Sequence, residues 1–183
     1  MGQETALDGC NGWHNLFARE PTIMNAYELV EAGGVKNFNL DEWNEPAILK
    51  MVSARLLNHI DTLRELYGQS IHPSRLSAGW ARTNGSTTSR HYAKGRLSDA
   101  GDIFPEGGVL RCWLTALTMG VFGGIGLYLD TNKSRLQPGA MMHVDCRPIA
   151  FPVLWVRNET GDYVYENAEP DKFWSAIKRV RLK

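Results

Sequence analysis

Apolar residues between Asp41 and Tyr67 recur at steps of three and four, at Leu49, Val52, Leu56, Ile60, Leu63 and Tyr67. That spacing is the stripe of an amphipathic helix, and Gly68 suits its C-cap. A second helix opens at Gly107-Gly108, presents Leu110, Trp113, Leu114, Leu117 and Val121 on one face, and ends near Gly120 to Gly124. Short stretches rich in β-formers predict strands at Ile125–Leu129, Met141–Cys146, Val153–Arg157 and Tyr163–Glu166, with another at Ser70–Ala78. The last two strands of the chain flank Asn158-Glu-Thr-Gly-Asp162 and read as a hairpin. Arg82–Ser89 is polar, carries an Asn-Gly turn signal and is expected as a surface loop. A short helix is expected over Thr22–Ala32 and a basic one over Lys172–Lys183.

This order of elements predicts an α+β fold, a small antiparallel sheet with flanking helices. Residues 1–36 read as a lead-in and 37–183 as one compact domain, a size that builds a single core.

Charge narrows the function. Lys plus Arg and Asp plus Glu both total 20, so no electrostatic footprint for nucleic acid or an anionic membrane is present. No apolar run reaches the roughly 18 residues of a membrane-spanning helix, and Met1-Gly-Gln-Glu-Thr5 lacks the pattern of an exporting signal. The expectation is synthesis in the cytosol. Cys10, Cys112 and Cys146 are too few and too scattered for a disulfide framework or a zinc knuckle, and read as reduced packing residues.

The chemistry concentrates between Ser89 and Asp145. Strand alternation puts Met141, His143 and Asp145 on one face and Met142, Val144 and Cys146 on the other. A strand with His and Asp on one side and apolar residues on the other is a site wall backed by core. The same rule sets Asp102 opposite to Ile103, behind small residues that admit close approach, and His91 follows the polar loop. Two imidazoles and a carboxylate on separate elements are the ligand set of a catalytic zinc site. His14, His59 and His72 read as surface or hydrogen-bonded histidines, and a thiol nucleophile is disfavoured because Cys146 faces away from His143.

At these residues the chain resembles the zinc D-Ala-D-Ala carboxypeptidase superfamily, peptidase family M15, which includes bacteriophage endolysins. The match spans roughly residues 37 to 157: Asn37-Phe-Asn-Leu-Asp-Glu-Trp43, then Leu63-Arg-Glu-Leu-Tyr-Gly68, Ser77-Ala-Gly-Trp-Ala-Arg82, Ser89-Arg-His91 with Gly95 and Ala100-Gly-Asp102, and last Gly124-Ile-Gly-Leu-Tyr128 leading to His143-Val-Asp145. Each motif is weak alone; their order carries the likeness. The resemblance implies a Hedgehog/DD-peptidase-like fold in which His91, Asp102 and His143 hold Zn²⁺, with Asp99 as the alternative to Asp102 because it keeps the family's spacing from Gly95. It implies Arg82 as the residue that holds a substrate carbonyl or carboxylate, and Ser89, Trp80 and Tyr128 as groove residues, although Trp80 and Tyr128 suit packing equally. Many relatives carry an acid three residues before the last zinc histidine, where this chain has Ala140. Asp145 is then either the general base or a carboxylate that orients a ligand histidine. The implied substrate is the peptidoglycan stem peptide, reached at the cell wall during phage lysis or from within a virion. The alternative is an inactive wall-binding or structural module among other virion proteins.

Overall fold

The computed structural model describes residues 24–131, 139–148 and 150–180. The expectations for Cys10, His14, residues 1–23 and the terminal residues 181–183 lie outside them.

Among the described residues, four α-helices, α1 (Ala26–Glu31), α2 (Ala54–Tyr67), α3 (Val109–Met119) and α4 (Pro170–Arg179), accompany six strands. The strands are β1 (Ile71–Pro73), β2 (Ala100–Pro105), β3 (Gly124–Tyr128), β4 (Met141–Asp145), β5 (Val153–Arg157) and β6 (Tyr163–Tyr165), in the sheet order β1-β2-β4-β3-β5-β6. The α+β class is as expected. The antiparallel sheet is corrected to a mixed one, because β5 runs parallel to β3. The cause is local. β2 already occupies the outer edge of β4, so the nearest free edge for the next strand is that of β3. Asp145 at the end of β4 and Val153 at the start of β5 both lie beside Gly124, so the chain only crosses the foot of β3 and sets off in the same direction.

Alternation divides the sheet into two faces. Ile103, Ile125, Leu127, Met142, Val144, Val156 and Val164 join one apolar core with the buried faces of α2, α3 and α4. The other face carries Asp102, His143, Asp145 and Trp155, paired by register through Asp102↔His143, Gly126↔His143 and Gly126↔Trp155.

The apolar stripe of the long helix extends before the helix itself. Leu40–Glu42 and Pro46–Met51 form 3₁₀ turns, and α2 starts only at Ala54. The backbone at Val52–Ser53 is committed elsewhere: Ser53 N–H donates to the Ser98 carbonyl at 2.8 Å and Val52 accepts from Ala26 at 2.8 Å. Gly68 closes α2 in the left-handed conformation (φ +70°), as expected. Similarly, Gly120 at φ +65° ends α3 before Val121, which is exposed like Leu114. Of Ser70–Ala78 only Ile71–Pro73 pairs; the segment then turns through Ser77–Gly79.

Two early motifs pack against each other. The buried Asp61 carboxylate accepts from the backbone N–H groups of Lys36 (3.1 Å) and Asn37 (2.8 Å), while Asn37 donates to the Asp61 carbonyl. Glu42 pairs with Arg64 at 2.8 Å, and that guanidinium lies over the Phe38 ring. No helix among the described residues is long and apolar enough to cross a membrane.

Candidate metal centre

β2 and β4 are neighbours, and their register sets Asp102 directly opposite His143. His91 comes from the polar loop, whose base is clamped where Arg82 N–H donates to the His91 carbonyl (2.9 Å) and Ala93 N–H to the Arg82 carbonyl (2.8 Å). The three side chains meet at single atoms. His143 Nδ1 is 3.0 Å from Asp102 Oδ1, His91 Nε2 is 3.1 Å from His143 Nδ1, and His91 Nε2 is 3.5 Å from Asp102 Oδ1.

These edges have a metal-site meaning. Ligands at about 2.0 to 2.1 Å in a tetrahedron lie about 3.3 Å apart. The triangle of Nε2, Nδ1 and Oδ1 therefore matches one face of a tetrahedral zinc site, with the fourth position outside it. Both histidines are buried and Asp102 is partly so. The buried group can hold a metal ion, and its donor set of two imidazoles and one carboxylate suits zinc.

Asp99, the alternative ligand, is excluded from this cluster: Arg90 binds both its carboxylate oxygens, with Nε at 2.9 Å from Oδ1. The residues between His91 and Asp102 place Asp99 in that ion pair and carry the chain into β2.

Electrostatics follow from the crowding. Burial pushes the Asp102 carboxyl up, but the His91 charge and hydrogen bonds from both histidines outweigh it and hold it well below the usual carboxylate range. For His143 burial works downward, and hydrogen bonds to Asp102 and Asp145 reverse it, raising the ring to about 9.

Asp145 is fully buried, and every lone-pair direction of its carboxylate is taken. Oδ1 accepts from the Arg147 backbone N–H at 3.1 Å and from Arg147 Nε at 2.8 Å; Oδ2 accepts from Arg147 Nη2 at 2.6 Å and lies 3.3 Å from His143 Nε2. Burial raises its pKa and these hydrogen bonds bring it down, below the ordinary carboxylate value. Of the two roles the sequence left open, the general base is corrected: this oxygen pair has no room for a water proton. Ala140 offers no replacement, since it lies by Val109 and Leu129, away from the metal cluster.

The cluster opens to a cleft of about 290 Å³ lined by Arg82, Ser89, Tyr128, Arg147 and Trp155 among others. Ser89 Oγ accepts from Arg82 Nη2 at 2.6 Å and from His91 N–H at 3.3 Å, tying the guanidinium to the metal loop. The Tyr128 hydroxyl is pushed up by burial and by the Asp102 charge, so it stays a donor. Trp80 is corrected to a packing residue: it is fully buried, donates to the Ser74 carbonyl at 3.0 Å, and backs Gly101 behind β2. His59 packs on Phe122 and His72 pairs with Glu106 at 2.7 Å, both apart from the cleft.

Sequence reasoning missed Trp155, Arg147, Tyr163 and Tyr165, all lining the cleft. Alternation carried two residues past Asp145 finds Arg147. Trp155 has no such signal; it stands 5.1 Å from the His143 ring because β5 lies beside β3.

Comparison with protein family models, with curated proteins and with solved structures returns no match for this chain.

Proposed function

We propose that the chain is a zinc-dependent peptidase acting on peptidoglycan stem peptides, at the cell wall or from a phage particle. The observation that carries the reading is the triangle of His91 Nε2, Asp102 Oδ1 and His143 Nδ1 at the edge of an open cleft. The ordered motifs of the M15 resemblance supply the substrate class. Zinc at this position contributes Lewis acidity toward a scissile carbonyl and a water whose pKa falls to about 7. Arg82, which meets no carboxylate among the described residues, binds the substrate's carbonyl or carboxylate from the cleft wall, held there by Ser89. Tyr128 remains protonated and donates to oxygen.

One observation favours a second reading, a wall-binding or structural module that does not turn over. No carboxylate among the described residues lines the cleft, which shares only His91 and His143 with the cluster, and Asp145 has no free lone pair. The test separates the two. Native mass spectrometry is expected to show one zinc per chain, lost in His91→Ala, Asp102→Ala and His143→Ala and kept in Asp99→Ala. Zinc-loaded protein incubated with purified peptidoglycan then releases cleaved stem peptides under the peptidase reading. Binding without cleavage supports the module instead.

A further inference from the structure

An imidazole ligates through one nitrogen only when its proton sits on the other, so something must fix the His143 tautomer. The geometry places two candidates in series. Asp145 Oδ2 lies 3.3 Å from His143 Nε2, and Arg147 grips the same carboxylate through its guanidinium fork and its backbone N–H. Gly124 has no side chain where its Cβ would collide with the Asp145 carboxylate, so β3 leaves the space the carboxylate fills.

We infer that Arg147 is a positioning residue for the metal: it aims Asp145 at His143 Nε2, keeps the proton on that nitrogen, and so leaves the Nδ1 lone pair facing His91 and Asp102. The inference rests on the metal-centre reading and not on turnover. Three donors from Arg147 fix the carboxylate plane. His143 Nε2 then has only an acceptor to meet, which dictates an N–H there. Trp155 packs against the ring at 5.1 Å and the Arg147 guanidinium lies 5.8 Å from the indole, so the clamp is braced from the cleft side.

A carboxamide at position 145 reverses the logic. Two Arg147 donors, the backbone N–H and Nε, claim its oxygen against the single Nη2, which turns the NH₂ toward His143 and forfeits the Nη2 bond. Nε2 must then accept, the proton moves to Nδ1, and the ligand nitrogen is blocked. Asp145→Asn is therefore expected to lose more zinc affinity than a change at Arg147. Arg147→Lys preserves the charge that neutralises the buried carboxylate, guarding against unfolding, yet removes the fork.

The experiment measures zinc affinity by competition with a chromophoric chelator, the visible spectrum of the Co²⁺-substituted protein, and far-UV circular dichroism. Arg147→Lys is expected to weaken zinc by about 10- to 100-fold with an altered Co²⁺ spectrum, and Asp145→Asn by more. ¹⁵N NMR of the unmodified zinc-loaded protein is expected to show His143 protonated on Nε2. Folded variants with unchanged affinity and spectrum overturn the inference, as does an Nδ1-protonated His143. A wild-type chain that takes up no zinc overturns both this inference and the metal-centre reading, whereas zinc binding without peptide cleavage leaves it standing.

Discussion

Gly126 and Trp155 lie side by side on β3 and β5, and a Cβ at Gly126 would collide with the indole of Trp155. The same glycine pairs with His143 on its other side, so the missing side chain lets the indole reach the ligand ring. Gly126→Ala is expected to push Trp155 out of its slot. Overpacking of this kind costs about 1 to 3 kcal/mol. Thermal unfolding should fall accordingly, and Trp155 emission should redden as the indole gains water. An alanine variant with unchanged melting and emission would remove this account of the Gly-x-Gly motif.

Asp61 anchors the lead-in. Its carboxylate accepts two backbone N–H groups from Lys36 and Asn37, and the side chain is buried. Asp61→Ala leaves both donors without a partner, at about 1 to 3 kcal/mol. Denaturant unfolding should show that loss while zinc stoichiometry is retained, because Asp61 lies on α2 away from the metal cluster. Loss of zinc in the folded variant would mean that the two regions are coupled.

The paired motifs show what a sequence reveals. Asn37-Phe38 and Glu42 were readable as one motif and Leu63-Arg64 as another, but only the fold shows Asn37 bound at Asp61 and Glu42 at Arg64. His143 was legible from strand alternation and His91 from motif order, and Asp102 as one of two candidate aspartates. The choice against Asp99 was not, since it turns on the Arg90 ion pair. Trp80 was ambiguous because an aromatic residue beside a glycine looks the same lining a groove or filling a core. The parallel β5, and with it Trp155, depends on which strand edge is free, which no local pattern encodes.

The cysteines supply a pH prediction. Cys112 and Cys146 are buried, and burial pushes each thiol from 9.0 up to about 12. A raised folded value means the fold favours the neutral thiol. That contribution to stability is complete below pH 9.0 and is lost as pH climbs toward about 12. Native protein at about pH 8 is expected to resist iodoacetamide at both positions, with labelling after denaturation, when the thiols return to ordinary values. Peptide mapping reads each site separately. Rapid native labelling of Cys146 would revive a thiol mechanism.

Arg82 offers the sharpest division between the two functional readings. Its Nη2 donates to Ser89 Oγ at 2.6 Å, its Nε is buried without a partner among the described residues, and it borders the cleft. A guanidinium so placed has donors to spare for an anionic or carbonyl oxygen, and a lysine at this position cannot reproduce the fork. Arg82→Lys should keep its zinc, because Arg82 supplies no ligand atom. If the chain is a peptidase, kcat/KM on stem peptides should drop by about 10- to 100-fold, the effect of losing about 1.5 to 3 kcal/mol of charged hydrogen bonding. A fall in kcat assigns Arg82 to the transition state, and a rise in KM alone assigns it to substrate holding. If the chain binds the wall without cutting it, the same variant should lose retention on purified peptidoglycan by a similar factor. A variant that retains zinc, cleavage and wall binding undiminished would exclude Arg82 from either role.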